Sequence, residues 1–261
     1  MVAYGLAMVH ALFLWRRGFR RDDWVLYAIL ATGMALHTSA MVQRGFSLHR
    51  CPVNNLYEAT AFVMWTVVAG YLVLGLWQPF RFLGVFASPL LFALGVFAIM
   101  PALDPPHVAA PQFTGGLVSL HVALIALGYG ALGLGFGGSL MYLSQEHDLK
   151  FDRLRALISR LPSIQQLERV MVRLAFCGLL LLTAGLAVSF IALKPPEGQS
   201  LLKDAKVIWS IGVWLFYAGL LVWYRRADHG GRRLAWGNLL GFAFVLLTFW
   251  GVNLLSKIHN P

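Results

Sequence analysis

Eight histidines have the widest chemical reach in this chain: His10, His37, His49, His107, His121, His147, His229 and His259. An imidazole can ligate a metal, act as general acid or base, or relay protons near neutral pH. A compact zinc site needs ligands at i, i+3 or i, i+4, and no two of these histidines have that spacing. A proton-coupled transporter needs a chain of acids and lysines within its apolar segments, and the few acids there form none. The two cysteines, Cys51 and Cys177, make no CxxC pair and predict no structural disulfide. Ligation by imidazoles brought together from different elements stays open, and it depends on where those elements run.

Of the 261 residues, 59% are hydrophobic and only 12% charged. An ordinary soluble domain carries about 25% charged residues, so this is a membrane composition. A helix crossing a bilayer core takes about 20 apolar residues. Eight segments meet or approach that length: 1–15, 24–45, 55–77, 83–103, 117–145, 170–193, 207–224 and 238–256. The first has no basic region ahead of its apolar stretch and no small-residue cleavage site, so a retained span is expected rather than a signal peptide. The predicted fold is an all-α polytopic membrane bundle of about eight transmembrane helices, one domain over residues 1–261.

Lysine and arginine divide unevenly between alternate loops. With the N-terminus outside, 15 of the 21 fall inside and six, Arg44, Arg50, Lys194, Lys203, Lys206 and Lys257, fall outside. The positive-inside rule then puts both termini outside. The same distribution assigns the net charge of +10 to topology and anionic lipid, so no nucleic-acid partner is expected. The inner connection around Leu154, Leu157, Ile158 and Leu161, opposite Arg153, Arg155 and Arg160, reads as an amphipathic interfacial helix ending before Pro162. In the fifth span, Gly133 and Gly137 have the GxxxG spacing that lets helices approach closely.

Sidedness sorts the histidines. His147 and His229 lie in inner basic loops, and His10 is near the inner end of the first span. His49 and His107 are in outer loops, His121 opens the fifth span at the outer interface, and His259 follows the eighth at the same interface. His37 stands about 20 Å from the inner end of the second span at helical rise, in the outer half of the bilayer. A single interfacial histidine ordinarily hydrogen-bonds or snorkels. Two imidazoles at one depth on different helices also have the geometry that a six-coordinate haem iron needs. Spacing alone goes no further than an outer cluster of histidines.

Three stretches carry a family resemblance. The chain resembles the cytochrome c assembly membrane proteins, the CcsA/ResC group and its shorter HemX-type relatives. "CPVNNLYEATAFVMW" is similar to the family's opening of a span, through Pro52, Asn55, Leu56, Tyr57 and Glu58. "SLHVALIALGYGAL" is similar to the span whose outer histidine binds haem, with His121 in that place. "GVNLLSKIHNP" is similar to the closing segment that bears the second outer histidine, with His259 in that place, one residue early. The resemblance covers roughly residues 45–259.

It implies haem b bound by His121 and His259 on the outer face. Glu58 is a candidate acceptor for an imidazole N–H, and His37 a deeper station for haem crossing the bilayer. Asp204, Lys206 and Trp209 resemble the segment just after the family's tryptophan-rich outer loop, and Lys206 or Lys257 would counter haem propionates. That loop itself is absent: "KPPEGQSLLKDAKVIW" has no tryptophan before Trp209. The seventh span lacks the histidine the family often has near its inner end, and no ResB-like region is fused to the chain. These departures point to the short branch that includes HemX-type proteins.

The resemblance implies a haem-binding protein that handles or presents haem for cytochrome c assembly. No independent catalytic activity is expected, although the chain would belong to a haem-lyase system. Expected partners are haem, a ResB/CcsB-like membrane protein, apocytochrome c and the lipid bilayer, in a bacterial plasma (inner) membrane or a plastid thylakoid. One alternative is a HemX-type regulator or stabiliser of haem-synthesis enzymes acting through the inner basic loops. Another is a small-solute transporter, for which the interrupted, charge-bearing midplane spans are lacking.

Overall fold

The apolar segments form helices because a chain in hydrocarbon must satisfy every backbone N–H and C=O internally. In the computed structural model, residues 1–16, 24–48, 55–77, 80–100, 116–150, 162–192, 203–226 and 230–255 are described. They form eight helices, one on each expected segment: α1 (Val2–Arg16), α2 (Trp24–Leu48), α3 (Leu56–Leu74), α4 (Leu83–Ala98), α5 (Gly116–Lys150), α6 (Ile164–Ala192), α7 (Ala205–Arg226) and α8 (Gly231–Leu255). Five contain stretches long and apolar enough to cross a membrane: Trp24–Ser47, Leu56–Leu74, Gly116–His147, Ile164–Ile191 and Ala205–Arg226. Val2–Leu14 and Leu83–Ala98 are shorter apolar helices. The protein is a multi-pass helical membrane protein. The expected interfacial helix around Leu157 lies outside the described residues.

Side-chain caps set the starts of some helices, in α6 well ahead of the apolar run. α6 starts six residues ahead of its apolar segment. Ser163 and Gln166 form a reciprocal capping box there, with the Gln166 N–H donating to Ser163 Oγ at 3.2 Å and the Ser163 N–H to Gln166 Oε1 at 3.0 Å. At α3 the Glu58 N–H donates to Asn55 Oδ1 at 2.7 Å. Such a cap contributes about 1 kcal/mol.

Successive helices run antiparallel, and this sets two ends. Gly185 of α6 meets Ile125 of α5, and further along Gly138 meets Met171. Likewise Gly241 of α8 meets Phe216 of α7, and Gly237 meets Leu220. One end of the bundle therefore carries Arg44, Glu58, His121 and Lys206. The other carries Arg81, Arg169, Arg173, Arg225, Arg226, Arg232 and Arg233. Two apolar cores join the helices. One gathers Tyr71, Leu83, Leu91, Met141 and Met171 with residues of α1, α2 and α8. The other gathers Tyr129, Leu132, Leu182, Tyr217 and Phe242.

α5 is the central pillar, packing on α3, α4, α6 and α8. Its most extensive partner is α6. The two backbones come together at Gly128 and Gly178: a Cβ on Gly128 would lie 3.3 Å from the Gly178 carbonyl oxygen, and one on Gly178 would lie 3.2 Å from that of Gly128. The close approach expected of Gly133 and Gly137 is distributed differently. Gly133 receives the Phe242 ring and Val67, whereas Gly137 is in ordinary contact with Phe86. The GxxxG pattern is read by side chains of three other helices, while glycines outside it make the tightest backbone crossing.

Candidate functional site

His121 stands in the second turn of α5, half-buried against α6. Its Nδ1 lies 2.8 Å from the carbonyl oxygen of Gly185. A carbonyl only accepts, so in the neutral imidazole the proton sits on Nδ1 and Nε2 keeps its lone pair. This is the arrangement in which histidines ligate metals, with the outer N–H donated to a fixed acceptor. A side chain at 185 would crowd this contact, because a Cβ there would meet Ile125 Cδ1 at 2.7 Å, its Cγ1 at 2.9 Å and its backbone N at 3.3 Å. Sequence reasoning missed Gly185. A small residue on a neighbouring span is its only trace in the sequence.

Lys206 is close enough to His121 for the two to interact electrostatically. Asp204, read from the resemblance as a haem-site residue, is the N-cap of α7: the N–H groups of Lys206 and Val207 donate to its Oδ1 at 3.0 and 3.4 Å. Trp209 packs its ring on Tyr129 of α5, with centroids 6.2 Å apart, and donates its indole N–H to Thr248 Oγ1 at 2.8 Å. It thereby ties α7 to both α5 and α8. Tyr129 also lines an apolar cavity of about 20 Å3, with Thr60, Val63, Leu94, Phe242, Val245 and Leu246. That is room for one water-sized molecule.

Glu58 is buried in the first turn of α3, and its partner there is Arg44 of α2, Nε to Oε1 at 2.8 Å. The Arg44 guanidinium also lies over the Tyr57 ring, 4.9 Å from its centroid. The hydrogen bond from His121 goes to Gly185, not to this carboxylate. His37 lies on α2 with Nδ1 3.0 Å from the Tyr4 hydroxyl of α1. α3 stands between His37 and α5: Trp65 faces α2 through Thr38, and Thr66 faces α5 through the Ala126 carbonyl. The structure therefore brings Lys206 near His121 and keeps His37 on a different side of the bundle. His259 lies outside the described residues, although α8 runs toward the His121 end. Among the described residues no group of three or more His, Cys, Asp or Glu could hold a metal ion.

Residues 53–259 match the family model described as Cytochrome C assembly protein. The chain belongs to that family. It is 28% identical to Protein HemX of Brevibacillus brevis, over 92% of this chain and 88% of the relative. It is 25% identical to the Cytochrome c biogenesis protein CcsA of Synechococcus sp. (strain CC9605), over 96% of this chain and 90% of the relative. For the CcsA of Prochlorococcus marinus (strain MIT 9515) the values are 27%, 78% and 73%. In this cytochrome c assembly protein the matched region begins just ahead of the Asn55 cap and ends on His259. It takes in Glu58, His121 and Gly185 and leaves α1 and α2 out. His37, Tyr4 and Arg44 thus lie before the matched region, and the Arg44–Glu58 pair binds the two parts together.

Proposed function

We propose that the protein binds haem through His121 and His259 and handles or presents it at the outer face of the membrane for cytochrome c assembly. The observation that carries this reading is the bond from His121 Nδ1 to the Gly185 carbonyl, which leaves Nε2 as a fixed, unprotonated donor. The other groups at that end fit the ligand. Lys206 supplies a cation for a propionate, and Trp209 and Tyr129 hold the helices beneath. Haem of b type, held by side chains alone, brings an iron with two axial positions for imidazole nitrogen.

The chain's own contribution is binding and orientation, with no catalytic step of its own. Asp204 contributes by ordering the start of α7, which carries Lys206 and Trp209. His121, near the head of α5, would hold the ligand at the end of the bundle, within reach of apocytochrome c and a ResB/CcsB-like membrane partner, in a plasma (inner) membrane. The test is the absorption spectrum of the detergent-purified protein expressed with excess haem. A Soret band is expected in the wild type and lost in His121→Ala and in His259→Ala. A wild type without that band rejects the reading.

A second reading is a regulator or stabiliser of haem-synthesis enzymes acting through the basic inner loops. It expects deletion of residues 150–165 to abolish function and His121→Ala to leave it intact. The haem-presenting reading expects the reverse.

A further inference from the structure

We infer that Gly185 is a positioning residue, whose missing side chain and backbone carbonyl together choose the tautomer of His121 and so which nitrogen faces a ligand. The chemical consequence rests on the haem reading above; the tautomer itself does not.

Two observations converge on one residue. The carbonyl of Gly185 is 2.8 Å from His121 Nδ1. The same residue faces Ile125, one turn further along α5, so closely that a Cβ would come within 2.7 Å of its side chain and 3.3 Å of its backbone N. The Cδ1 end of Ile125 can turn away from a methyl group at 185, but the contacts at Cγ1 and the backbone N are relieved by a small shift of α5 from α6 beside the hydrogen bond, which draws Nδ1 from its acceptor. A free neutral histidine side chain favours the Nε2–H form, which has no lone pair for a metal on that nitrogen. Once the Gly185 bond lengthens, nothing opposes that preference.

Gly178 provides a matched control. A Cβ there would meet Leu132 Cδ2 at 2.7 Å, its Cγ at 2.8 Å and the Gly128 carbonyl oxygen at 3.2 Å. The steric insult to the α5–α6 crossing is nearly the same, about two turns earlier along α6. Loss of packing is common to both alanine variants; loss of the imidazole bond belongs to one.

The experiment records 15N spectra of the full-length protein labelled at histidine, without haem, with the His121 signals assigned by difference from His121→Gln. Wild type and Gly178→Ala are expected to show a protonated Nδ1 and a bare Nε2, and Gly185→Ala a shift toward Nε2–H. If Gly185→Ala is not recovered folded, it is combined with Ile125→Val, which removes the Cδ1 contact and keeps those with Cγ1 and the backbone N at 2.9 and 3.3 Å, so a smaller shift in the same direction is expected. Haem titration comes next. Gly185→Ala is expected to bind 10–100-fold more weakly, the usual cost of losing a ligand's hydrogen-bond partner, with a higher reduction potential because the imidazole donates less charge. Gly178→Ala is expected within threefold of wild type. The same tautomer in all three proteins, or equal weakening in both alanine variants, overturns the inference. A tautomer shift with no haem bound by the wild type upholds the positioning role and rejects the haem reading.

Discussion

Removing Arg44 is expected to destabilise the protein far more than removing Arg44 and Glu58 together. Glu58 is 1% exposed and its carboxylate meets Arg44 at 2.8 Å, while the Arg44 side chain remains 24% exposed. Arg44→Met takes the guanidinium away from a buried carboxylate in a low-dielectric site. Breaking a buried pair in this way costs about 3–5 kcal/mol, and the partial exposure of Arg44 puts this case near 3. The stacking of Arg44 on Tyr57 adds about 0.5–1 kcal/mol. Glu58→Leu leaves a guanidinium that can turn to water and keeps its stacking, so about 1 kcal/mol is expected. In the double variant neither charge is stranded, and stability should lie within about 1 kcal/mol of wild type. The coupling is then about 3.5–4 kcal/mol, read as a double-mutant cycle. In thermal unfolding from one detergent, at about 2–4 °C per kcal/mol for a chain of this size, Arg44→Met should lower the Tm by roughly 7–16 °C. The double variant should recover most of that. If Arg44→Met and the double variant fall equally, the carboxylate does not depend on Arg44 and the buried ion pair is refuted.

Two further outcomes concern the start of α7 and its neighbours. Asp204→Ala removes the oxygen that accepts from Lys206 and Val207, costing about 1 kcal/mol; Asp204→Ser should retain most of the stability, and equal Tm values for the two variants would exclude a capping role. Trp209→Phe and Thr248→Val each lose the same 2.8 Å bond, about 1 kcal/mol apiece. The double variant should cost little more than either single one, whereas strict additivity in thermal unfolding would show that the two side chains act separately.

The eight helices were legible because bilayer thickness forces a minimum apolar length on every span. Their starts were less so. Hydropathy marks the surface that lipid covers, while Ser163, Asn55 and Asp204 mark where backbone N–H groups find oxygen. Asp204 shows how these signals compete: an aspartate just ahead of an apolar run is a capping signal, yet the resemblance drew it toward haem. His121 stood out as an imidazole at the head of a span. Its acceptor is the main-chain carbonyl of Gly185, 64 positions away, and a carbonyl has no letter in the sequence. Arg44 was visible only as one of six outer cations, because nothing on α2 tells which charge will meet a buried carboxylate on α3. Long apolar runs report a helix's environment, whereas a site also depends on register between helices, and single residues set that.

Register also accounts for the glycines of α5. Each glycine in a helix costs about 1 kcal/mol relative to alanine, and α5 carries six between Gly128 and Gly138. At Gly135 and Gly137 an added Cβ would make only ordinary contacts, at 3.8 Å, so those positions do not require glycine. At Gly128, Gly130 and Gly133 it would press on Leu182, the Thr66 side chain and the Phe242 ring, and these belong to α6, α3 and α8. Three close approaches on three sides leave α5 little freedom to slide or turn. A nitrogen at the head of such a helix is aimed by the whole bundle, and placing ligands on rigid elements is what keeps a binding site from being loose. In a chain without the tryptophan-rich loop, that rigidity supplies orientation that loop contacts do not.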